Sequence, residues 1–144
     1  MIYFDTSYLV RLYFEDPGFA VVRELASADH VASATHGHAE ILAAFHRKLR
    51  EDAITPKSYQ ALLDQFRADQ EAGAFHWLPA APEVMERIGM AYGKLPRTVY
   101  LRGADALHLA TAAANGFKAV YSNDAHLLAA APHFKLKGLN PMNA

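Results

Sequence analysis

The sequence predicts an α/β protein whose central sheet has four to five mostly parallel strands flanked by helices. Two observations carry that prediction. Short apolar runs at Ile2 to Phe4, His30 to Ala34, Ala74 to Leu78 and Lys118 to Tyr121 have the length of buried strands, and Phe134 to Leu136 adds a fifth candidate. The segments between them carry apolar residues at helical spacing, and helical crossovers are what parallel strands require. With 144 residues, 52% hydrophobic and 20% charged, the chain fits one globular domain over 1–144 rather than an extended disordered one.

The first stretch, MIYFDTS, is an apolar run that stops on a carboxylate, Asp5. Thr6 or Ser7 can cap the helix that follows, and a strand-terminal Asp is itself a common cap, so Asp5 alone fits capping as well as chemistry. Ser7 to Glu15 places Leu9, Leu12 and Tyr13 at helical spacing and breaks at Asp16-Pro17-Gly18. Phe19 to Ala28 repeats the pattern, with Val22 and Leu25 inward, ahead of the second strand. A longer helix runs from Thr35 or His36 to Arg50, with Ile41, Leu42, Phe45 and Leu49 in one stripe and Glu40 beside it. Arg47, Lys48 and Arg50 near its end complement the helix dipole.

Thr55-Pro56 opens the next helix with a cap and a first-position proline; Tyr59, Leu62, Leu63 and Phe66 form its apolar face and Gly73 ends it. Pro79 stops the third strand, and Pro82 starts a helix carrying Val84, Ile88 and Tyr92. The irregular connection Gly93 to Gly103 holds Lys94, Arg97 and Arg102, cations suited either to phosphates or simply to solvation. Gly103 leads into ADALHLATAAANG, an alanine-rich helix with Asp105 in its first turn and Asn115-Gly116 as its stop. After the fourth strand come Ser122, Asn123 and Asp124, a short helix from His126 to Ala130, and an irregular tail beyond Gly138.

Composition narrows the setting. Cysteine is absent, which excludes disulfides and thiolate metal sites. No basic segment precedes the first apolar run, and no apolar stretch reaches the roughly 18 to 20 residues of a membrane span. The expectation is a cytoplasmic protein that does not use a membrane. With a net charge of −1, nucleic acid would have to be held by a local basic patch and a metal.

Strands linked by helical crossovers share a carboxyl edge, so Asp5 and Asp124 are expected on one rim. Asp105 at a helix start and Glu40 early in another helix are able to face the same rim. Converging carboxylates repel one another, and a divalent cation relieves the repulsion. Oxygen ligands select Mg²⁺ or Mn²⁺, an ion suited to phosphodiester hydrolysis.

The segments FDTS, AEILAAF, RGADALHLATA and SNDAHL, in this order, resemble the PIN-domain ribonucleases, especially the VapC-type toxins of bacterial toxin-antitoxin pairs. The likeness covers nearly the whole chain, and RGADALHLA is its most specific part. It implies a PIN-like three-layer sandwich and a Mg²⁺- or Mn²⁺-dependent endoribonuclease acting on RNA. Asp5, Glu40, Asp105 and Asp124 match the catalytic, metal-holding acids, with Thr6 or Ser7 matching the hydroxyl after the first strand. Ser122 stands where the family frequently has Thr. A cognate antitoxin protein and a homodimer are the implied partners. The alternative is a noncatalytic RNA-binding or protein-interaction module with a PIN-like fold.

Quieter chemistries fit less well. Among eight histidines, His36 and His38 are two apart on a helix and point to nearly opposite sides, whereas His36 and Glu40 share a face. A capping or surface role is expected for His36 ahead of a place around the site, and His108, three residues after Asp105, is treated alike. Asn123 and His126 flank Asp124 with no assigned role. An aspartyl-phosphate mechanism is disfavoured because Ser7 stands where the usual second Asp would be.

Overall fold

The computed structural model describes residues 1–143. Five parallel strands form the middle layer: β1 (Ile2–Tyr3), β2 (Val31–Ala34), β3 (Phe75–Leu78), β4 (Ala119–Tyr121) and β5 (Lys137–Leu139). β1, β2 and β3 are neighbours in that order, β4 pairs with β5, and a parallel bridge from Phe4 to Tyr121 sets β4 beside β1. The order across the sheet is therefore β3-β2-β1-β4-β5.

Alternation along the strands divides the core. Tyr3, Ala32, Leu78 and Val120 face one side, where they meet Val84 of α5 (Pro82–Lys94), Ala106 and Leu109 of α6 (Gly103–Ala114) and Leu127 of α7 (Ala125–Ala130). Phe4, Val31, Phe75 and Tyr121 face the other. There they pack with Tyr8 and Leu9 of α1 (Thr6–Leu9), Val22 of α2 (Phe19–Ala28), Ile41 and Phe45 of α3 (Thr35–Arg50) and Phe66 of α4 (Pro56–Glu71). Each fully buried large apolar side chain contributes about 1.5–3 kcal/mol, so both faces are needed to hold the sheet. The result is a three-layer α/β sandwich.

The sequence-read boundaries hold closely for α3 to α6, where caps are explicit. The Thr55 hydroxyl accepts from Ser58 N–H at 3.1 Å, and α6 stops at Asn115-Gly116, where Gly116 takes φ +80°. Two expectations need correction. The helix expected over Ser7 to Glu15 is one turn, α1, followed by a 3₁₀ turn at Val10–Leu12. The Arg11 guanidinium donates to Ser7 O at 2.6 Å and to Pro17 O at 2.8 Å, taking up the carbonyl that a continuing α-helix would use.

The last strand is β5, not Phe134 to Leu136. Phe134 and Leu136 are buried, but they belong to a 3₁₀ turn and to the bend beyond Lys135, which takes φ +58°. No helix among the described residues is long and apolar enough to cross a membrane.

Candidate active site

Strand order decides where a site forms. From β1 the chain adds β2 and β3 on one side and then returns to place β4 and β5 on the other, so the order reverses between β1 and β4. Open α/β sheets bind ligands at the carboxyl ends of strands at such a reversal. Asp5 follows β1, Asp124 follows β4, and Asp5 N–H donates to Tyr121 O at 3.1 Å, so the two acids share one rim.

Asp5 is buried and fully engaged. Its Oδ1 accepts from the Ser7 hydroxyl at 2.6 Å and from Tyr8 N–H at 3.2 Å, and its Oδ2 accepts from the Ser122 hydroxyl at 2.5 Å. Asp5, rather than Thr6 or Ser7, therefore caps α1. Burial pushes its pKa up, while the charge of His108 and the hydroxyls of Ser122 and Ser7 pull it back. Two further bonds tie this end of β1 to the β4 loop: Asp124 N–H donates to Ser122 Oγ at 2.9 Å, and Asn123 N–H donates to Ser7 Oγ at 2.8 Å.

Asp124 also caps a helix, accepting from His126 N–H and Leu127 N–H of α7 at 2.8 and 3.1 Å. Its other oxygen accepts from Arg102 Nη2 at 2.6 Å, and Arg102 Nε donates to Asp105 at 2.9 Å. One guanidinium thus spans the acids of two elements. Asp105 is buried in the first turn of α6, where the helix dipole favours its charge.

Glu40 lies beside this chain of contacts. Its Oε1 accepts from the Thr6 hydroxyl at 2.8 Å, lies 2.8 Å from His108 Nε2, and is 3.3 Å from His36 Nε2. Burial alone would raise its pKa, but His108, Thr6 and His36 outweigh that and hold it below the usual value. His108 is itself buried, with Nδ1 2.8 Å from the Tyr3 hydroxyl. That hydroxyl accepts from Ala34 N–H at 3.0 Å, so His108 is held between Tyr3 at Nδ1 and Glu40 at Nε2.

Asp5, Asp124 and Asp105 are therefore joined through Ser122 and Arg102, whereas Glu40 is bonded to Thr6, the residue after Asp5, and to His108 of α6. A cavity lined by Met1, Ile2, His76 and Phe117 among others includes none of them. At the rim Asp5 and Asp105 are buried, while Glu40 and Asp124 are partly exposed.

The sequence model of the PIN domain matches residues 2–132. The chain belongs to the PIN-domain family.

Solved structures agree in fold. This PIN domain is similar to FitAcB from Neisseria gonorrhoeae, with TM-score 0.79 and 19% identity over 100% of both chains. It is also similar to VapC20 from Mycobacterium tuberculosis, a sarcin-ricin loop cleaving toxin, with TM-score 0.69 and 16% identity over 90% of this chain and 95% of that one. VapBC2 from Rickettsia felis, bound to a DNA fragment from its promoter, gives TM-score 0.65 and 16% identity over 97% and 98%. No curated protein matches the chain at a significant level.

Carboxylate oxygens are hard donors of the kind that divalent cations such as Mg²⁺ take. Every candidate donor is a carboxylate oxygen, and the charge between Asp105 and Asp124 is already balanced by a positive group, the Arg102 guanidinium. Arg102, Tyr3 and His108 are the contributors that sequence reading left without a role. Arg102 and His108 each stand three residues from Asp105, a spacing that puts all three on one side of the α6 start.

Proposed function

We propose that this PIN-domain protein is a Mg²⁺- or Mn²⁺-dependent endoribonuclease, the toxin of a toxin-antitoxin pair, working in the cytoplasm as a homodimer with a cognate antitoxin as partner. The chain from Asp5 through Ser122, Asp124 and Arg102 to Asp105 at the reversal of strand order, with Glu40 on Thr6 beside it, carries this reading. A sheet edge with two partly exposed acids suits a polymer that must be cut within its length, and the likeness to VapC20, a sarcin-ricin loop cleaving toxin, supports RNA as the substrate class. Exposed Met85 and Tyr92, seven residues apart on one side of α5, offer apolar surface for self-association.

In this reading Asp5, Glu40, Asp105 and Asp124 hold the cation. When bound, it supplies Lewis-acid stabilisation of the phosphodiester and a lowered pKa for water. The protein's own groups do the positioning. Ser7, Ser122 and Tyr8 N–H fix both oxygens of Asp5, while Thr6 and His108 hold Glu40 ionised and oriented. Arg102 is half exposed, so the guanidinium that spans Asp105 and Asp124 also has a face able to take the phosphate oxygens of a substrate.

The test uses tag-free protein freed of any copurified antitoxin, a broad cellular RNA pool, and Mg²⁺ or Mn²⁺. Wild type is expected to cleave RNA, and Asp5→Asn and Asp105→Asn are expected to lose about 100-fold or more while staying folded. Absence of cleavage by the wild type, or equal cleavage by the folded variants, overturns the reading and leaves a binding module.

A further inference from the structure

We propose a second metal site, for a transition ion with imidazole preference such as Zn²⁺ or Co²⁺, formed by His36, Glu40 and His108. One ligand atom from each of the three lies within 4.8 Å of the others. The Glu40 oxygen is 2.8 Å from His108 Nε2 and 3.3 Å from His36 Nε2, and the two imidazole centroids are 4.2 Å apart. Bonds of about 2.0–2.1 Å in tetrahedral geometry put neighbouring donors roughly 3.3 Å apart, so small side-chain shifts suffice.

The backbone supports that arrangement. His36 and Glu40 stand four apart on α3 and share a face, and α6 brings His108 against them. α3 and α6 pack closely at this point: a Cβ on Gly37 would press on Ser33 Oγ at 3.1 Å and make ordinary contact with His108 Cε1 at 3.5 Å. His108 also has the outer partner that metal-bound imidazoles need, the Tyr3 hydroxyl at Nδ1, which can accept as well as donate. His36 and Glu40 remain partly exposed, at 24% and 35%, so an ion has a path in and an open side for water.

The donor chemistry separates this site from the neighbouring one. Two imidazole nitrogens with one carboxylate favour Zn²⁺, Co²⁺ or Ni²⁺, whereas all-oxygen sites favour Mg²⁺ or Mn²⁺. Binding displaces the Nε2 protons that hold the present network, including the contact of His36 Nε2 with Ala104 O at 3.0 Å. Glu40 belongs to both donor sets, so occupancy here takes it from the acids. That consequence rests on the nuclease reading; the binding does not.

The experiment is calorimetric titration of tag-free protein with Zn²⁺ alone, repeated for His36→Ala and Asp105→Asn, with folding checked by circular dichroism. Wild type is expected to bind one equivalent, His36→Ala to bind at least about tenfold more weakly, and Asp105→Asn to bind within about threefold of wild type. If His36→Ala does not fold, His36→Gln takes its place. Absence of saturable binding by wild type, unchanged affinity in the folded His36 variant, or loss of binding in Asp105→Asn overturns the proposal. None of these readouts depends on RNA cleavage.

Discussion

Asp5 fulfils the capping role that its sequence position allowed, because one carboxylate oxygen accepts from the first turn of α1, and it stands on the rim beside the β4 loop that carries Asp124. Its burial sets a conflict between stability and charge. The folded pKa is raised above the unfolded value of about 3.9, so the folded state binds the extra proton in a window running upward from about pH 4. Stability contributed by Asp5 therefore falls as pH rises through that window. Asp5→Asn is expected to stabilise the metal-free protein at neutral pH, by on the order of 1 kcal/mol, with the advantage fading toward pH 4. Urea unfolding at pH 7 and pH 4 in the presence of chelator checks this; a variant destabilised at pH 7 contradicts it. Arg102 makes the complementary case. Replacing it with Gln leaves Asp105 and Asp124 without their shared cation, at a cost of up to about 1 kcal/mol in chelator, and added Mn²⁺ is expected to restore the melting temperature. The acids were legible one by one, because apolar runs and helix starts mark their positions. Arg102 was not, because the partner of a loop cation is set by tertiary contacts.

At the level of elements, legibility followed the strength of local signals. The helix from Pro56 has a cap, a first-position proline and a long apolar face, and it runs as read. The strand β5 has none of these: its sequence, Lys137-Gly138-Leu139, is short, polar at one end and carries glycine, while the apolar pair beside it packs from a turn. Glycine is there because α7 crosses closely. A Cβ on Gly138 would meet Leu128 Cδ2 at 2.8 Å and Leu128 Cα at 3.2 Å. Gly138→Ala is expected to cost about 1–3 kcal/mol, read as a lower urea midpoint. An unchanged midpoint would show that α7 yields without strain. On the same face of the sheet, Tyr3→Phe removes the hydroxyl that joins Ala34 N–H to His108. It is expected to destabilise by about 1–3 kcal/mol, because a buried donor and a buried ring nitrogen lose their partner.

For the whole molecule, the sheet's reversal of order is the feature that unites fold and site. Apolar runs and helical spacing predicted a mostly parallel sheet of four to five strands, but they did not specify which strands would be neighbours. Placing β1 beside β4 set Asp5 and Asp124 on one rim, and placing α6 beside β2 and α5 brought Asp105 and His108 to it. The exposed Met85 and Tyr92 side of α5 leads to the expectation that purified protein sediments as a dimer and that Met85→Glu shifts it toward monomer. The central claim, that these acids together cut RNA with a divalent cation, is tested most directly by comparing wild type with folded Asp105→Asn in an RNA cleavage assay with Mn²⁺. The account predicts cleavage that chelator abolishes and that the variant lacks; cleavage by the variant at the wild-type rate would contradict it.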